Sequence, residues 1–150
     1  MSNGKMELVF VPENELCAAC KLVRELAKTD AKQTRAAAKP LQGTIIRNTH
    51  FHHDVNITGT SIREWTNQPH KHFKAKNQML LDINNVFSNA AYLGTTDNHK
   101  GIKRVVQSHI FEVEVSGEKN LLIVREYDWG EYVLHSISDS PELYNKIKKE

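Results

Sequence analysis

The stretch that decides the fold is residues 105–138, VVQSHIFEVEVSGEKNLLIVREYDWGEYVLHSIS. It contains three runs rich in β-branched and aromatic residues, Val105 to Val115, Leu121 to Tyr127 and Tyr132 to Ile137. Two polar segments, Ser116-Gly117-Glu118 and Asp128-Trp129-Gly130-Glu131, separate the runs and are short enough to be hairpin turns. The stretch therefore predicts three consecutive antiparallel strands.

Helices and a pair of shorter strands are predicted on either side of this stretch. Apolar residues at helical spacing favour a helix from about Glu13 to Lys39 and another from Lys74 to Asn89. Ser61, followed by Glu64, is expected to cap a short helix. Short strands are expected at residues 44–46 and 53–58, a polar loop at 95–101, and a last helix at about 141–149. The pattern as a whole predicts an α+β fold, with helices packed on one face of a mainly antiparallel sheet.

The length of the chain allows one ordinary domain. At 150 residues it can bury a single sizeable core. Pro40 and Gly43 mark the one plausible seam. We therefore expect an N-terminal helical extension at residues 1–40 and an α+β domain at residues 41–150.

Composition and charge exclude several classes of protein. Hydrophobic residues make up 39% and charged residues 25%, as in ordinary globular proteins. No apolar run is long enough to span a bilayer and the first residues do not form a signal peptide, so a cytoplasmic protein without a membrane partner is expected. The net charge of +2 is too small to indicate a nucleic-acid binder by itself. Any phosphate-binding site must come from local clustering.

Histidine and arginine on the three predicted strands are the first candidates for chemistry. Alternation places His109 on the same face as Phe111, where it borders a cleft or the edge of the core. Arg125 interrupts an apolar strand, so its guanidinium needs a carboxylate or an anionic ligand. Hairpin register decides its neighbours: a two-residue turn groups Arg125 with Ser136 and Ser138, and a three-residue turn groups it with His135.

A second group of candidates follows Pro69. His70, Lys71, His72 and Lys74 stand at the start of a predicted helix, where exposed amides attract phosphate. A solvated, mildly basic helix start is the structural alternative. Lys100 lies in a basic loop that is suited to an RNA backbone, although solvated loop charge is the commoner meaning of such a loop.

Metal chemistry has weak support in the sequence. His50, His52 and His53 form a dense cluster, but they point in different directions and have few carboxylates at ligand spacing. One CxxC pair, Cys17 and Cys20, favours two reduced, partly buried thiols on a helix. No phosphate-binding glycine loop, HExxH or GxSxG motif is present, which argues against nucleotide hydrolases, zinc proteases and serine hydrolases. We predict no metal and no cofactor.

Several segments together resemble the phage-encoded nuclease-like domains grouped with barnase, EndoU, colicin D and RelE. The resemblance runs from about Leu41 to the C-terminus, and residues 1–40 lie outside it. Its carriers are Thr60-Ser61-Ile62-Arg63-Glu64-Trp65-Thr66-Asn67-Gln68-Pro69-His70-Lys71-His72, Leu80-Leu81-Asp82-Ile83, Tyr92-Leu93-Gly94, Ser108-His109-Ile110-Phe111-Glu112, Ile123-Val124-Arg125-Glu126 and His135-Ser136-Ile137-Ser138-Asp139.

The resemblance implies a metal-independent endoribonuclease-like domain of phage or mobile-element origin, in which the 2′-hydroxyl attacks its own phosphate and leaves a 2′,3′-cyclic end. It implies that His109 and His135 move protons, with His70 as a third candidate, and that Arg125 binds the phosphorane. Ser136 or Ser138 would donate to a phosphate oxygen, and Lys71, His72, Lys74 and Lys100 would bind RNA.

The partners implied are RNA, including tRNA, and an inhibitor or a phage protein. The alternative is a non-catalytic RNA- or protein-binding module of the same fold. A helical extension folded over the RNA groove would hold such a nuclease inactive.

Overall fold

The computed structural model describes residues 18–98 and 101–148. These residues form a six-stranded mixed sheet in the order β1-β2-β6-β5-β4-β3, in which β2 and β6 are parallel and the other neighbours are antiparallel. The predicted α+β class is confirmed. The strands are β1 (Ile45–Asn48), β2 (Phe51–Asn56), β3 (Ala91–Asp97), β4 (Val105–Val115), β5 (Glu118–Tyr127) and β6 (Tyr132–Ser138).

Four helices lie on one face of the sheet, and a short fifth helix follows the last strand. Helix α1 packs against α2 and α3, while α2 lies on β6 and α4 lies on β1. The bounds of the helices are α1 (Ala18–Ala38), α2 (Gly59–Asn67), α3 (Phe73–Leu81), α4 (Ile83–Ser88) and α5 (Pro141–Tyr144). No helix in the described part of the chain is long and apolar enough to cross a bilayer.

Strand alternation places the core between the sheet and these helices. Phe111 on β4 lies opposite Leu122 on β5, and both are fully buried. Leu134 on β6 lies opposite Val124 and continues the same layer. Trp65 and Phe87 enter the layer from α2 and α4. Odd-numbered residues of β5, Arg125 among them, therefore point to the other face of the sheet.

Three local predictions in the middle of the chain differ from the structure: the start of α2, the helix at 74–89 and the loop at 95–101. Helix α2 begins earlier than predicted, because Thr58 is its N-cap and Ser61 completes the capping box from the third helical position. The helix predicted at 74–89 divides at Asp82 into α3 and α4. Part of the predicted loop at 95–101 belongs to β3, since Thr95 and Asp97 pair with β4.

The predicted domain boundary near residue 40 stays a prediction. Helix α1 ends at Ala38, and one 3-10 turn at Lys39–Leu41 leads into the sheet. The helix is tied to α2 and α3: Arg35 donates to Thr66 Oγ1 at 3.3 Å, and Asn77 donates to Asp30 at 2.8 Å. The described part of the extension thus lies on the helical side of the molecule.

Candidate active site

The turn between β5 and β6 sets the faces of Arg125 and His135. Tyr127 donates its backbone N–H to Glu131 O at 2.8 Å, which closes a three-residue turn at 128–130. Arg125 consequently lies opposite Val133. Of the two registers open to the sequence, the structure has the one that groups Arg125 with His135.

A β-bulge follows at His135. Val124 lies opposite Leu134 but Ile123 lies opposite Ser136, so His135 is the extra residue of β6. A bulge leaves its additional residue outside the regular pairing and turns its side chain to a new direction. His135 and Arg125 line the same hollow as a result.

This hollow, called here the Arg125 hollow, has a volume of about 280 Å³. Arg125, His135 and Glu131 place a guanidinium, an imidazole and a carboxylate around it. Thr60 and Trp129 also contribute to the wall. A neighbouring depression of about 210 Å³ shares Arg125 and His135 and adds Ser108 and Lys146 to its lining. The two depressions therefore meet at Arg125 and His135, and Thr60 at the start of α2 borders one of them.

Arg125 makes no ion pair with any described carboxylate. The two acidic residues nearest to it on β4 and β5 have other partners: Glu126 binds His109, and Glu112 accepts from the Tyr144 hydroxyl. A half-buried guanidinium without a counter-charge favours an anionic ligand, because its partial desolvation is otherwise uncompensated.

Glu131 is held in a fixed orientation at the border of the hollow. Asn56 Nδ2 donates to Glu131 Oε2 at 2.8 Å, and Trp129 Nε1 donates to Oε1 at 2.9 Å. The Trp129 ring is 56% exposed and stacks on Tyr127 with ring centroids 4.7 Å apart and planes inclined by 27°. A carboxylate and a wide aromatic surface thus stand side by side.

The expectation that His109 joins Arg125 and His135 is wrong. Ser108, and not His109, lies opposite Arg125 on β5, and His109 points to the helix-covered face. The residue is only 6% exposed. Its Nε2 lies 2.7 Å from Glu126 Oε1, and its Nδ1 lies 2.9 Å from the Tyr92 hydroxyl. Since an ionised carboxylate only accepts hydrogen bonds, Nε2 carries the proton.

The hydrogen-bond donors around Glu126 explain the low pKa of its carboxyl. Burial alone would raise the pKa of this carboxyl, but hydrogen bonds from Gln107 and His109 outweigh burial and hold the pKa below its ordinary value. Glu126 is therefore an ionised partner that anchors His109. The pair stabilises the end of the sheet on the face opposite the Arg125 hollow.

His70 also lies away from the hollow, contrary to its expected catalytic role. Its side chain is 1% exposed. Its Nδ1 accepts the backbone N–H of His72 at 2.8 Å, so Nε2 donates to Asn120 Oδ1 at 2.7 Å. Asn120 and Arg125 are separated by about 17 Å at the strand rise of roughly 3.3 Å per residue. Both ring nitrogens of His70 are used in holding the loop before α3.

The two candidate serines differ in their distance from Arg125. Ser136 directly follows the bulge residue His135. It is 4% exposed and lies opposite Ile123. Ser138 lies opposite Leu121, about 13 Å along β5 from Arg125 at the usual strand rise. Its Oγ accepts from the backbone N–H of Ser140 at 3.1 Å. Ser138 is thus not part of the Arg125 hollow.

The proposed RNA-binding residues Lys71, His72 and Lys74 lie together. They line a shallow depression of about 300 Å³ with Ser116 of the β4–β5 turn. Glu118 pairs with Lys71 at 2.9 Å, and this hydrogen bond raises the pKa of Lys71 and lowers that of Glu118. The depression is at the opposite end of β5 from Arg125. Lys100 lies outside the described residues.

The histidine cluster His50, His52 and His53 lies at the start of β2. In the described part of the chain, no group of three histidine, cysteine or acidic side chains is placed to hold a metal ion. His53 instead stacks on Tyr132 with centroids 4.3 Å apart. Cys20 is exposed on α1 and not partly buried as expected, and Cys17 lies outside the described residues.

Sequence reasoning missed Glu131 and Trp129 as site residues. Both belong to the segment that it assigned to a connecting turn. The available signal was a large aromatic residue beside two carboxylates in a hairpin turn, where a tryptophan has no core to enter. The stacking surface was therefore visible in the sequence, but its closeness to Arg125 depended on register.

Comparison with known proteins gives a family. No curated protein and no solved structure matches the chain. The model of one family, described as large polyvalent protein-associated domain 3, matches residues 25–144, which include most of α1, the whole sheet and the candidate site. The chain therefore belongs to the large polyvalent protein-associated domain 3 family.

Proposed function

We propose that this protein is a metal-independent endoribonuclease-like domain of phage or mobile-element origin, which acts on single-stranded RNA in the cytoplasm. One observation carries the proposal. The Arg125 hollow combines a guanidinium that forms no ion pair with a described carboxylate, an imidazole, His135, and a fixed carboxylate, Glu131.

These three groups match what phosphodiester cleavage requires. In the proposed reaction, Glu131 accepts the proton of the 2′-hydroxyl while that oxygen attacks the neighbouring phosphorus. Arg125 stabilises the charge that develops on the phosphorane oxygens. His135 gives a proton to the departing 5′-oxygen, so that one P–O bond forms and one breaks. The products are a 2′,3′-cyclic phosphate and a free 5′-hydroxyl.

The roles expected for His109 and His70 change accordingly. Glu131 replaces His109 as the proton acceptor, because His109 is buried on the other face of the sheet between Tyr92 and Glu126. His70 becomes a structural residue. Helix α1 contributes no lining residue to the Arg125 hollow among the described residues, so the described part of the extension does not support autoinhibition.

Cleavage of labelled single-stranded RNA in EDTA tests the proposal. Arg125→Ala, His135→Ala and Glu131→Gln are each expected to lower the single-turnover rate by about 10²-fold or more, the usual range for loss of a general acid–base group or an electrostatic stabiliser. His50→Ala is the matched control, since His50 is an exposed imidazole in the β1–β2 turn. Full activity in all three site variants would refute the assigned roles.

A non-catalytic RNA- or protein-binding module of the same fold is the competing function. Under this alternative, RNA would bind with an affinity that depends on Arg125 but would remain intact in EDTA and in Mg²⁺. Binding and cleavage should therefore be measured on the same preparations.

A further inference from the structure

We infer that a second hollow beside the Arg125 hollow is a binding site for the nucleobase that flanks the cleaved phosphate. This hollow, called here the His53 hollow, has a volume of about 600 Å³. It shares Trp129 and Glu131 with the Arg125 hollow. The inference rests on the proposed function, since it gives the neighbouring nucleotide of the same RNA a defined place.

The His53 hollow exists because β2 and β6 pair over a very short length. Val55 lies opposite Tyr132 and Asn56 lies opposite Val133, and these are the pairs between the two described strands. Residues 52–54 of β2 precede this contact and stand beside the β5–β6 turn without pairing to β6. The space between the strand and the turn is the His53 hollow.

Aromatic faces make this space suited to a planar base. His53 and Tyr132 stack with ring centroids 4.3 Å apart and planes inclined by 21°. Trp129 supplies a third flat ring and is 56% exposed. Stacking of a base on such rings is worth roughly 1–3 kcal/mol and tolerates any base, because every base has a π-face.

The charges around the two hollows assign base and phosphate to different places. Glu131 lines both hollows, whereas Asp54 lines only the His53 hollow, and no lysine or arginine is among the lining residues of the His53 hollow in the described part of the chain. Arg47 pairs with Asp54 at 2.7 Å but is not itself in that lining. Carboxylates repel a phosphate and accept from the N–H groups of a base edge. The phosphate therefore belongs with Arg125, and the base belongs with His53.

The substrate class follows from this arrangement. A base can enter the His53 hollow only when it is unstacked from its neighbours and free of a pairing partner. The site thus selects single-stranded RNA with at least one exposed base next to the scissile phosphate, and it excludes a continuous duplex.

Tryptophan fluorescence can measure this binding without cleavage. The chain has two tryptophans, and Trp65 is fully buried, so a bound base should quench Trp129 selectively. A single-stranded deoxyribonucleotide tetramer lacks the 2′-hydroxyl and cannot be cut by the proposed route. Inorganic phosphate, measured by how well it displaces the tetramer, serves as the second probe, because it has no base and needs only the Arg125 hollow.

His53→Ala is expected to weaken tetramer binding by roughly 5- to 150-fold, the loss of one stacked base, and to leave binding of inorganic phosphate within about twofold. His53→Phe keeps a flat ring and should retain most of the tetramer affinity. His50→Ala, the matched imidazole control, should change neither probe.

The results separate this inference from the proposed function. Equal tetramer affinity in wild type and His53→Ala, or equal binding of a duplex and a single strand, overturns the base site even if RNA is cleaved. Tetramer binding that depends on His53 supports the base site, and it does so even if no RNA is cleaved in EDTA, which would overturn catalysis alone. Absence of Trp129 quenching by the tetramer also overturns the base site.

Discussion

Lys76→Met should remove a pH-dependent part of the stability of the fold. The Lys76 side chain is 1% exposed, and its Nζ donates to the backbone carbonyls of Trp65 at 2.7 Å and Gln68 at 2.8 Å, at the C-terminal end of α2. Burial lowers the pKa of Lys76 from 10.5 to about 8, and the nearby Asp30 opposes this shift. The unfolded chain therefore binds more protons than the folded chain between pH 8 and 10.5.

The sign and the size of the effect follow from this pKa difference. Below pH 8 Lys76 is protonated in both states, so it adds no pH dependence. Above pH 8 the contribution of Lys76 to the free energy of unfolding should rise with pH, by at most about 3.5 kcal/mol at roughly 1.4 kcal/mol per pKa unit. The methionine of the variant would not titrate. In Lys76→Met, loss of the ammonium donors should lower the free energy of unfolding by about 1–3 kcal/mol at neutral pH, because the carbonyls at the end of α2 lose their hydrogen-bond partner.

Urea unfolding of both proteins at several values between about pH 7 and pH 10.5 measures the effect. Tyr132 and Tyr144 have raised pKa values through burial, and their ionisation destabilises the fold at the alkaline end. Both proteins contain these tyrosines, so the difference between the two unfolding free energies isolates Lys76. That difference should grow as the pH rises above 8. A constant difference across the range would refute the assignment of a depressed pKa to Lys76.

Three further predictions concern the remaining parts of the structure. His109→Asn should lower the free energy of unfolding by about 1–3 kcal/mol through loss of the bond to Glu126, while RNA cleavage well below the unfolding temperature stays within about twofold; a collapse in rate of the folded variant would contradict the structural role. Gly94→Ala should destabilise the fold by roughly 1–3 kcal/mol in thermal unfolding, because φ is +138° and a Cβ would lie 2.2 Å from Lys148 O; an unchanged midpoint would count against this close approach. Lys74→Ala should reduce the magnitude of the slope of log affinity for RNA against log salt by about 1. An unchanged slope would show that RNA does not contact the depression lined by Lys74.

Strand periodicity predicted the centre of the fold because burial on one face leaves a clear pattern. The runs that begin at Val105, Leu121 and Tyr132 are rich in β-branched and aromatic residues, and all three are strands in the structure. The split at Asp82 and the strand at Thr95 escaped prediction, since both depend on tertiary contacts. Helical spacing continues across Asp82, and the pairing partner of Thr95 is remote in sequence.

The candidate site was less predictable than the fold. One of the two registers considered in the sequence groups Arg125 with His135, and these two residues line one hollow in the structure. The grouping of His109 with Arg125 was wrong. Alternation shows which residues of one strand share a face, but it does not show which face of the sheet would bind a ligand. The bulge at His135 decides which residues meet, and a one-residue irregularity leaves no signal in a strand of this composition.

The proposed cleavage through the 2′-hydroxyl at the Arg125 hollow can be measured on an oligonucleotide in which one ribonucleotide stands among deoxyribonucleotides. The oligonucleotide is incubated with the protein in EDTA and examined by mass spectrometry. One cut is expected, on the 3′ side of the ribonucleotide, with a 5′ fragment that is one water lighter than the linear phosphate and with no such product from His135→Ala. Failure to cut at the ribonucleotide, or equal cutting of the all-deoxy strand, would refute this reaction.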